Sequence, residues 1–226
     1  MSMTLNQVVP WGRSLDEYQL MFALSDADLD KSILGCGDGP ASFNAEMTAL
    51  GHQVISVDPI YAFTKDQIAQ RIQETYDPII SQVKQTQQDY IWDRYSDPDI
   101  LGQHRLQTMQ RFLDDYKVGL AVGRYRAEAL PSLSFTDHQF KLALCSHFFF
   151  LYSEQLSFEF HRAAIAELLR VAAEVRIFPL LALDCKASPY VEPIQQHFAH
   201  LGFSVETVPV PYEFQRGGNR MLKITY

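Results

Sequence analysis

A glycine-rich turn between two short apolar segments restricts the fold of this chain more than any other feature. Residues 33–34 form the first apolar segment, and the turn at 35–40 reads Gly-Cys-Gly-Asp-Gly-Pro. A stretch with helical spacing then ends at Gly51, and residues 54–57 form a second apolar segment before Asp58. Strand, turn, helix and strand in this order predict a βαβ unit, whose parallel strands need helices on both faces of the sheet.

The alternation of short apolar segments and helical stretches continues in the second half of the chain. Further strands are expected near 124–126, at 142–145 and at 175–183, and two final strands at 203–210 and 221–226. The loop between the last two is too short for a crossover, so they pair in antiparallel fashion. The fold class is therefore α/β, with a Rossmann-like, seven-stranded, mostly parallel sheet, an antiparallel C-terminal strand and helices on both faces.

Two further segments are expected to belong to the same domain, which covers residues 1–226. Residues 1–30 form an N-terminal arm and a helix that starts with the capping box of Ser14 and Glu17 and runs to about Leu24. Residues 62–117 keep helical spacing over a length greater than one crossover helix requires, which predicts an all-helical insertion.

Two Asp-Pro pairs divide the predicted insertion. Asp77-Pro78 and Asp97-Pro98 are each expected to interrupt a helix, because proline lacks the amide proton that a helix interior uses.

Charge and composition exclude several classes of protein. The net charge is −8, which disfavours contact with nucleic-acid phosphates and favours a small or neutral substrate. Three widely separated cysteines predict free thiols, with neither a metal site nor disulfides. The sequence contains neither an apolar run of the ~20 residues that a membrane helix needs nor a secretory signal, so a cytoplasmic location is expected. Monomer and homodimer both stay open.

The glycine turn is of a kind that lets the backbone approach a ligand closely. The nicotinamide pattern Gly-x-Gly-x-x-Gly does not fit, because its third glycine would fall on Pro40 or Ser42. The phosphate-loop pattern Gly-Lys-Ser/Thr is absent. The turn resembles motif I of the class I S-adenosylmethionine-dependent methyltransferases, a strand followed by acid-x-Gly-x-Gly-x-Gly.

Two alignments with that motif are possible. The better one places Gly37, Gly39 and Ala41 on the three family glycines, so that Gly35 stands where the family has an acid. The other keeps glycines at 35, 37 and 39 but fits the helix length less well and puts Ile33 at the acidic place. The closing antiparallel strands also resemble this family, and several segments look like those of an uncharacterised bacterial subgroup of it.

The resemblance implies a cofactor, S-adenosylmethionine, and a set of residues that bind it. Asp58 would accept hydrogen bonds from the ribose hydroxyls, although an aspartate before a proline is also a common helix cap. Arg13 would lie near the cofactor carboxylate or, alternatively, on the surface. The full set of expected cofactor contacts is Gly35, Cys36, Gly37, Gly39, Asp58, Pro59, Ile60, Ala127, Glu128 and Ser146.

The expected chemistry is direct SN2 transfer of a methyl group to a small-molecule acceptor. His147 is the candidate general base, since an unperturbed imidazole titrates near pH ~6.5, although a histidine beside three phenylalanines is often a packed residue. Phe148, Tyr152 and Trp92 are the expected substrate contacts. The aromatic and cationic residues around Trp92 suit a substrate wall, and they equally suit packing of the insertion onto the domain or a dimer contact. A cofactor-binding protein without activity and a protein or RNA methyltransferase are the alternatives.

Overall fold

A computed structural model describes residues 9–226, so the first eight residues of the predicted N-terminal arm lie outside it. One sheet contains seven strands, namely β1 Ile33–Cys36, β2 Val54–Val57, β3 Tyr125–Arg126, β4 Leu142–Ser146, β5 Glu174–Phe178, β6 Ser204–Pro209 and β7 Arg220–Thr225. The helices are α1 Leu15–Met21, α2 Asp26–Leu29, α3 Phe43–Ala49, α4 Lys65–Gln85, α5 Pro98–Ala121, α6 Phe158–Val171 and α7 Val191–His200. Single turns of 3₁₀ helix lie at Pro59–Ala62, Gln87–Asp89 and Phe150–Tyr152.

The strand order is β3-β2-β1-β4-β5-β7-β6, which confirms the predicted fold class. Strands β1 to β5 pair in parallel, and β7 lies antiparallel between β5 and β6. The order reverses between β1 and β4, and ligands of open α/β sheets bind beyond the carboxyl ends of the strands at such a point.

Helices cover both faces of the sheet because its central strands are apolar on both faces. In β4, Ala143 and Cys145 face one buried cluster that includes Ile165 of α6. Leu142 and Leu144 face the other cluster, which includes residues of α1 and α3. This period of two explains why the strand reads as a continuous apolar run in the sequence.

The segment between β2 and β3 contains the long helices α4 and α5, which pack against each other. The C-terminal half of the segment also packs on the sheet side, since α5 contacts α3 and β3. Its helical structure extends from the 3₁₀ turn that starts at Pro59 to Ala121, beyond the predicted limits of 62–117. Asp97 caps α5 by accepting the amide protons of Asp99 and Ile100, both at 2.9 Å.

Two expectations about helix ends are wrong. Helix α4 continues through Pro78 instead of breaking there. Pro78 and Glu74, one turn earlier, are both exposed, so the carbonyl that loses its amide partner faces water. Helix α1 ends at Met21 rather than near Leu24, and Ala23 just after it has a positive φ of 45°, which no helix accommodates.

Among the described residues, no helix has the combined length and apolarity of a bilayer-spanning segment. In the same part of the chain, His, Cys, Asp and Glu side chains form no group of three or more that could hold a metal ion.

Candidate functional site

A cavity of about 490 Å³ lies beyond the carboxyl ends of β1, β2 and β4. This volume is within the usual range for small-molecule sites. The strand ends form one side of the cavity, while α4, α5 and the loop between β6 and β7 form the other. Most residues of the predicted site line it, namely Cys36, Gly37, Gly39, Asp58, Pro59, Ile60, Glu128, Ser146, His147, Phe148 and Tyr152.

Three residues of the predicted site are not in the cavity lining. Gly35 is buried within β1 and faces a neighbouring carboxylate. Ala127 is exposed, and Ala129 two residues later lines the cavity instead. Trp92 packs against the Phe214 ring, and its indole N–H donates to the Gln87 carbonyl at 2.9 Å.

The glycine turn needs glycine for its backbone conformation. Gly37 and Gly39 have φ values of +68° and +54°, in the left-handed region that glycine adopts at little cost. A Cβ on Gly37 would also lie 3.2 Å from Phe148. The Gly37 amide donates to the Val57 carbonyl at 2.9 Å, which ties the turn to the end of β2.

Asp58 borders the cavity and also organises the backbone around it. One carboxylate oxygen accepts the Gly39 amide proton and the other accepts the Ile60 amide proton, both at 2.9 Å. Burial raises the pKa of Asp58, and these two hydrogen bonds act in the opposite direction. The predicted cap is therefore real, and the carboxylate that makes it still faces the cavity.

Asp38 is a residue of this site that the sequence analysis did not single out. Its buried carboxylate accepts hydrogen bonds from the Tyr18 hydroxyl at 2.7 Å and the Ser56 hydroxyl at 2.6 Å. A Cβ on Gly35 would lie 1.9 Å from Asp38 Oδ2, so the carboxylate occupies the space that a side chain at position 35 would enter. One sequence signal could have indicated this role. Gly35 stands where the family has an acid, so a nearby acid such as Asp38 could supply the carboxylate instead.

We expect Asp38 to make stability fall between pH 4 and pH 6. Burial raises the pKa of Asp38 to about 6, whereas the unfolded chain titrates near its ordinary value. A raised carboxyl pKa stabilises the fold at low pH, and this contribution is lost as the pH rises through 6. The loss amounts to roughly 3 kcal/mol for two pKa units. In urea unfolding, the change in stability from pH 4 to pH 6 should be less favourable for the wild type than for Asp38→Asn, because the other titrating groups are shared. The same pH dependence in both proteins would contradict the assignment.

The arm before α1 brings a cation to the cavity. Arg13 is 8% exposed, lines the cavity and donates from Nη1 to the Trp11 carbonyl at 2.8 Å. Its Nε atom is buried, lies 3.9 Å from Glu17 Oε1 and has no hydrogen-bond partner within residues 9–226. The arm is held in place by a bond from the Ser42 amide to the Arg13 carbonyl at 3.1 Å and by the contact of Gly12 with Pro40.

Glu17, a buried carboxylate next to Arg13, accepts hydrogen bonds from several side chains. Arg105 donates to both oxygens at 2.5 and 2.6 Å, and the hydroxyls of Tyr95 and Tyr212 donate at 2.9 and 3.0 Å. Burial alone would raise the pKa of Glu17, but Arg105 and the hydrogen bonds hold it well below its usual value. Two arginines and one carboxylate leave an excess positive charge beside the cavity.

His147 follows β4 directly and is held by its backbone. Its amide donates to the Phe178 carbonyl at 2.6 Å, and its φ is +52°. Ring atom Nδ1 lies 2.9 Å from Ser146 Oγ. Burial, followed by the charges of Arg13 and Arg105, lowers the pKa of His147 well below its ordinary value, so the imidazole is neutral near pH 7.

Comparison with known proteins identifies a relative along nearly the whole chain. No family model matches the sequence. The chain is 30% identical over 223 residues to the "Uncharacterized protein MJ0045" of Methanocaldococcus jannaschii, and the match covers 98% of each protein. The chain belongs to the MJ0045 family.

Solved structures show which fold this member of the MJ0045 family has. Magnesium protoporphyrin IX methyltransferase (ChlM) from Synechocystis PCC 6803, solved with bound SAM, superposes with a TM-score of 0.50 at 14% sequence identity. The match covers 93% of this chain and 77% of the ChlM chain. The structure of the same enzyme with bound SAH gives the same TM-score and identity. This MJ0045-family chain therefore has the fold of the class I methyltransferases, and the bacterial subgroup stays a prediction.

The part of the cavity lining that comes from α4, α5 and the loops after β4, β5 and β6 is largely apolar in this MJ0045-family chain. We call it the apolar chamber, and its lining consists of Ile79, Val83, Tyr90, Leu101, Phe148, Leu151, Tyr152, Leu183 and Phe214. Its outer wall is tied together across the chain, because the Ile91 amide donates to the Phe214 carbonyl at 2.8 Å and the Arg216 amide donates to the Asp89 carbonyl at 2.9 Å.

Proposed function

We propose that this protein is an S-adenosylmethionine-dependent methyltransferase that acts on a small molecule by direct SN2 transfer. The observation that supports it most is the grouping of three features around one cavity. These are the glycine turn at Gly37 and Gly39, the carboxylate of Asp58, and the buried cation Arg13, whose Nε has no hydrogen-bond partner among the described residues. The sulfonium cofactor supplies an electrophilic methyl group when bound, and ChlM, which shares this fold, was solved with that cofactor.

The residues present fit that cofactor. Asp58 would accept hydrogen bonds from the ribose hydroxyls, and Ile60 and Glu128 line the part of the cavity assigned to the adenine. Arg13 would pair with the carboxylate of the amino-acid part, which offsets the excess charge of the Arg13, Arg105 and Glu17 group. The remaining work of the protein is to align the acceptor and exclude water.

The carboxylate of Asp38 bears on the alternative of a binding protein without activity. Gly35 at the family's acidic position prompted that alternative. Asp38 places a carboxylate against Gly35, so a neutral residue at 35 no longer argues against activity. The enclosing helices and apolar chamber also support a small-molecule acceptor over a protein or an RNA.

We expect Asp58→Asn to weaken binding of S-adenosylhomocysteine by about 1.5–3 kcal/mol, the range for hydrogen bonds to a charged group. Asparagine can still accept the Ile60 amide proton, so the 3₁₀ turn that follows should persist. Isothermal titration measures the affinity. Asp66→Asn, at an exposed position in α4, is the matched control and should bind like the wild type. An unchanged affinity in Asp58→Asn would remove this residue from the site.

We expect Arg13→Met to weaken binding of S-adenosylhomocysteine at least tenfold and to leave binding of 5′-methylthioadenosine unchanged. The second ligand has the same nucleoside but lacks the amino-acid carboxylate with which Arg13 would pair. Methionine retains much of the side-chain volume, so the arm should keep its place. Equal losses for the two ligands would mean that Arg13 supports the fold and does not bind the carboxylate.

A further inference from the structure

The apolar chamber shows which kind of acceptor suits this site. The carboxylates that line the cavity are Asp38, Asp58 and Glu128, and all three lie at the strand ends. Helices α4 and α5 and the loops after β4, β5 and β6 contribute no carboxylate to this lining. A cationic acceptor would lose its hydration there without gaining a carboxylate, which is a large cost.

The two arginines that line the cavity each have a carboxylate as an actual or proposed partner. Arg13 is assigned above to the cofactor carboxylate, and Arg71 lies at a half-exposed position, 3.5 Å from Glu74. An anionic acceptor would therefore have to compete for a cation that already has a partner. An uncharged acceptor avoids both the loss of charge hydration and the competition for a cation.

The polar atoms of the chamber wall are mostly occupied by the protein. The Tyr152 hydroxyl accepts the Val9 amide proton at 3.4 Å. The side-chain amide of Gln215 donates to the Ala182 carbonyl at 3.4 Å and to Cys185 Sγ at 3.6 Å. Apolar contact is therefore expected to dominate recognition by the apolar chamber.

His147 lines the cavity, and its ring is hydrogen-bonded through Nδ1, which determines the role left to Nε2. Ser146 Oγ lies 3.8 Å from Met21 Sδ and 2.9 Å from His147 Nδ1. A thioether sulfur only accepts, so the serine proton is assigned to it and Ser146 Oγ accepts Nδ1–H. The neutral imidazole then carries its proton on Nδ1, and the lone pair of Nε2 is available to a donor.

We propose that the acceptor is a mostly apolar, uncharged small molecule with one hydroxyl group, which lies in the apolar chamber and donates its O–H to His147 Nε2. This inference rests on the proposed function. The hydroxyl oxygen forms the new bond to the methyl carbon, the cofactor sulfur keeps the electron pair of the broken carbon–sulfur bond, and the hydroxyl proton passes to Nε2 and then to water. Ser146 is a positioning residue in this arrangement, since it fixes the tautomer of His147.

A series of four probes on one scaffold tests the proposal. The probes are 4-butylphenol, its methyl ether 4-butylanisole, 4-butylbenzoate and 4-butylbenzylamine, which are neutral, neutral, anionic and cationic at pH 7. Binding to the protein saturated with S-adenosylhomocysteine is measured by titration calorimetry. We expect the phenol to bind at least tenfold more tightly than either charged probe. The advantage of the phenol over the methyl ether should disappear in His147→Gly, because glycine adopts the positive φ at this position without strain.

Two substitutions test where the probes bind. Val83→Trp and Leu183→Phe both fill the apolar chamber, and each should weaken phenol binding at least tenfold while the affinity for S-adenosylhomocysteine stays the same. Unchanged binding of S-adenosylhomocysteine also reports that the variants fold. Ser81→Trp, on the exposed face of the same helix, is the control and should bind all ligands like the wild type.

The outcomes separate this proposal from the proposed function. A wild type that does not bind S-adenosylhomocysteine overturns both. Three results overturn only the acceptor class, provided that S-adenosylhomocysteine binds normally. A charged probe binds most tightly, no probe binds at all, or phenol binding survives both chamber substitutions. A phenol that binds no better than its methyl ether removes His147 as the group that receives the hydroxyl proton.

Discussion

Glu17→Gln is expected to lower the free energy of unfolding by about 3–5 kcal/mol, the range for removing one partner of a buried ion pair. Glu17 is fully buried and accepts hydrogen bonds from Arg105, Tyr95 and Tyr212. A neutral amide leaves the buried Arg105 and Arg13 guanidiniums without a compensating charge. It also places an NH₂ group, which cannot accept, opposite one set of donors.

Asp16→Asn is the matched control for that experiment. Asp16 is the preceding residue in the same helix, but its side chain is 57% exposed and pairs with Arg94 at the surface. Exposed pairs of this kind contribute about 0–1 kcal/mol, so the control should unfold almost like the wild type. Urea unfolding followed by circular dichroism measures both variants. A loss below about 1 kcal/mol in Glu17→Gln would show that the cluster is far more hydrated than its burial indicates.

Gly35→Ala is expected to lower the unfolding free energy by about 3 kcal/mol and the affinity for S-adenosylhomocysteine at least tenfold. The new methyl group would lie 1.9 Å from Asp38 Oδ2, so the carboxylate must leave its place. The carboxylate then loses the hydrogen bonds from the Tyr18 and Ser56 hydroxyls. Loss of hydrogen bonds to a charged group costs about 1.5–3 kcal/mol, and steric crowding in a packed core adds a similar cost. The turn that follows, with Gly37 and Gly39, shifts with it.

A double substitution tests the cause of that loss. In Gly35→Ala with Asp38→Ala, the group that the new methyl meets is gone, so the double variant should recover most of the stability that Gly35→Ala loses. Recovery of ligand affinity should be smaller, because the turn no longer has its buried carboxylate. A double variant as unstable as the sum of the two single variants would mean that the two positions act independently.

The sequence predicted the parts of the site that depend on local spacing. The glycine turn, the length of α3 and the acid after β2 lie within 26 residues of one another, from 33 to 58, and their order determines where Asp58 falls. The antiparallel pairing of β6 and β7 was likewise predictable from the short loop between them. Spacing in the chain translates into spacing in the fold wherever the connection is short.

The parts that the sequence did not predict depend on contacts between distant segments. Trp92 was assigned to the substrate because its neighbours are aromatic and cationic, but it packs on Phe214, which is 122 positions later. The break expected at Pro78 fails because the unpaired carbonyl faces water, and exposure of one helix face is a tertiary property. For Arg13, the sequence left two places open, near the cofactor carboxylate or on the surface, because its burial depends on contacts of the arm with distant segments.

The meeting of Arg105, Tyr95 and Tyr212 on one carboxylate has a consequence for biosynthesis. Tyr212 lies in the loop between β6 and β7, so its hydroxyl reaches Glu17 of α1 only after strands β1 to β6 have left the ribosome. Until then, the buried carboxylate lacks one of its donors and the cavity lacks the wall that carries Phe214. The cavity therefore closes only after the loop between β6 and β7 has been made, and a nascent chain that ends before this loop lacks one wall of the cavity.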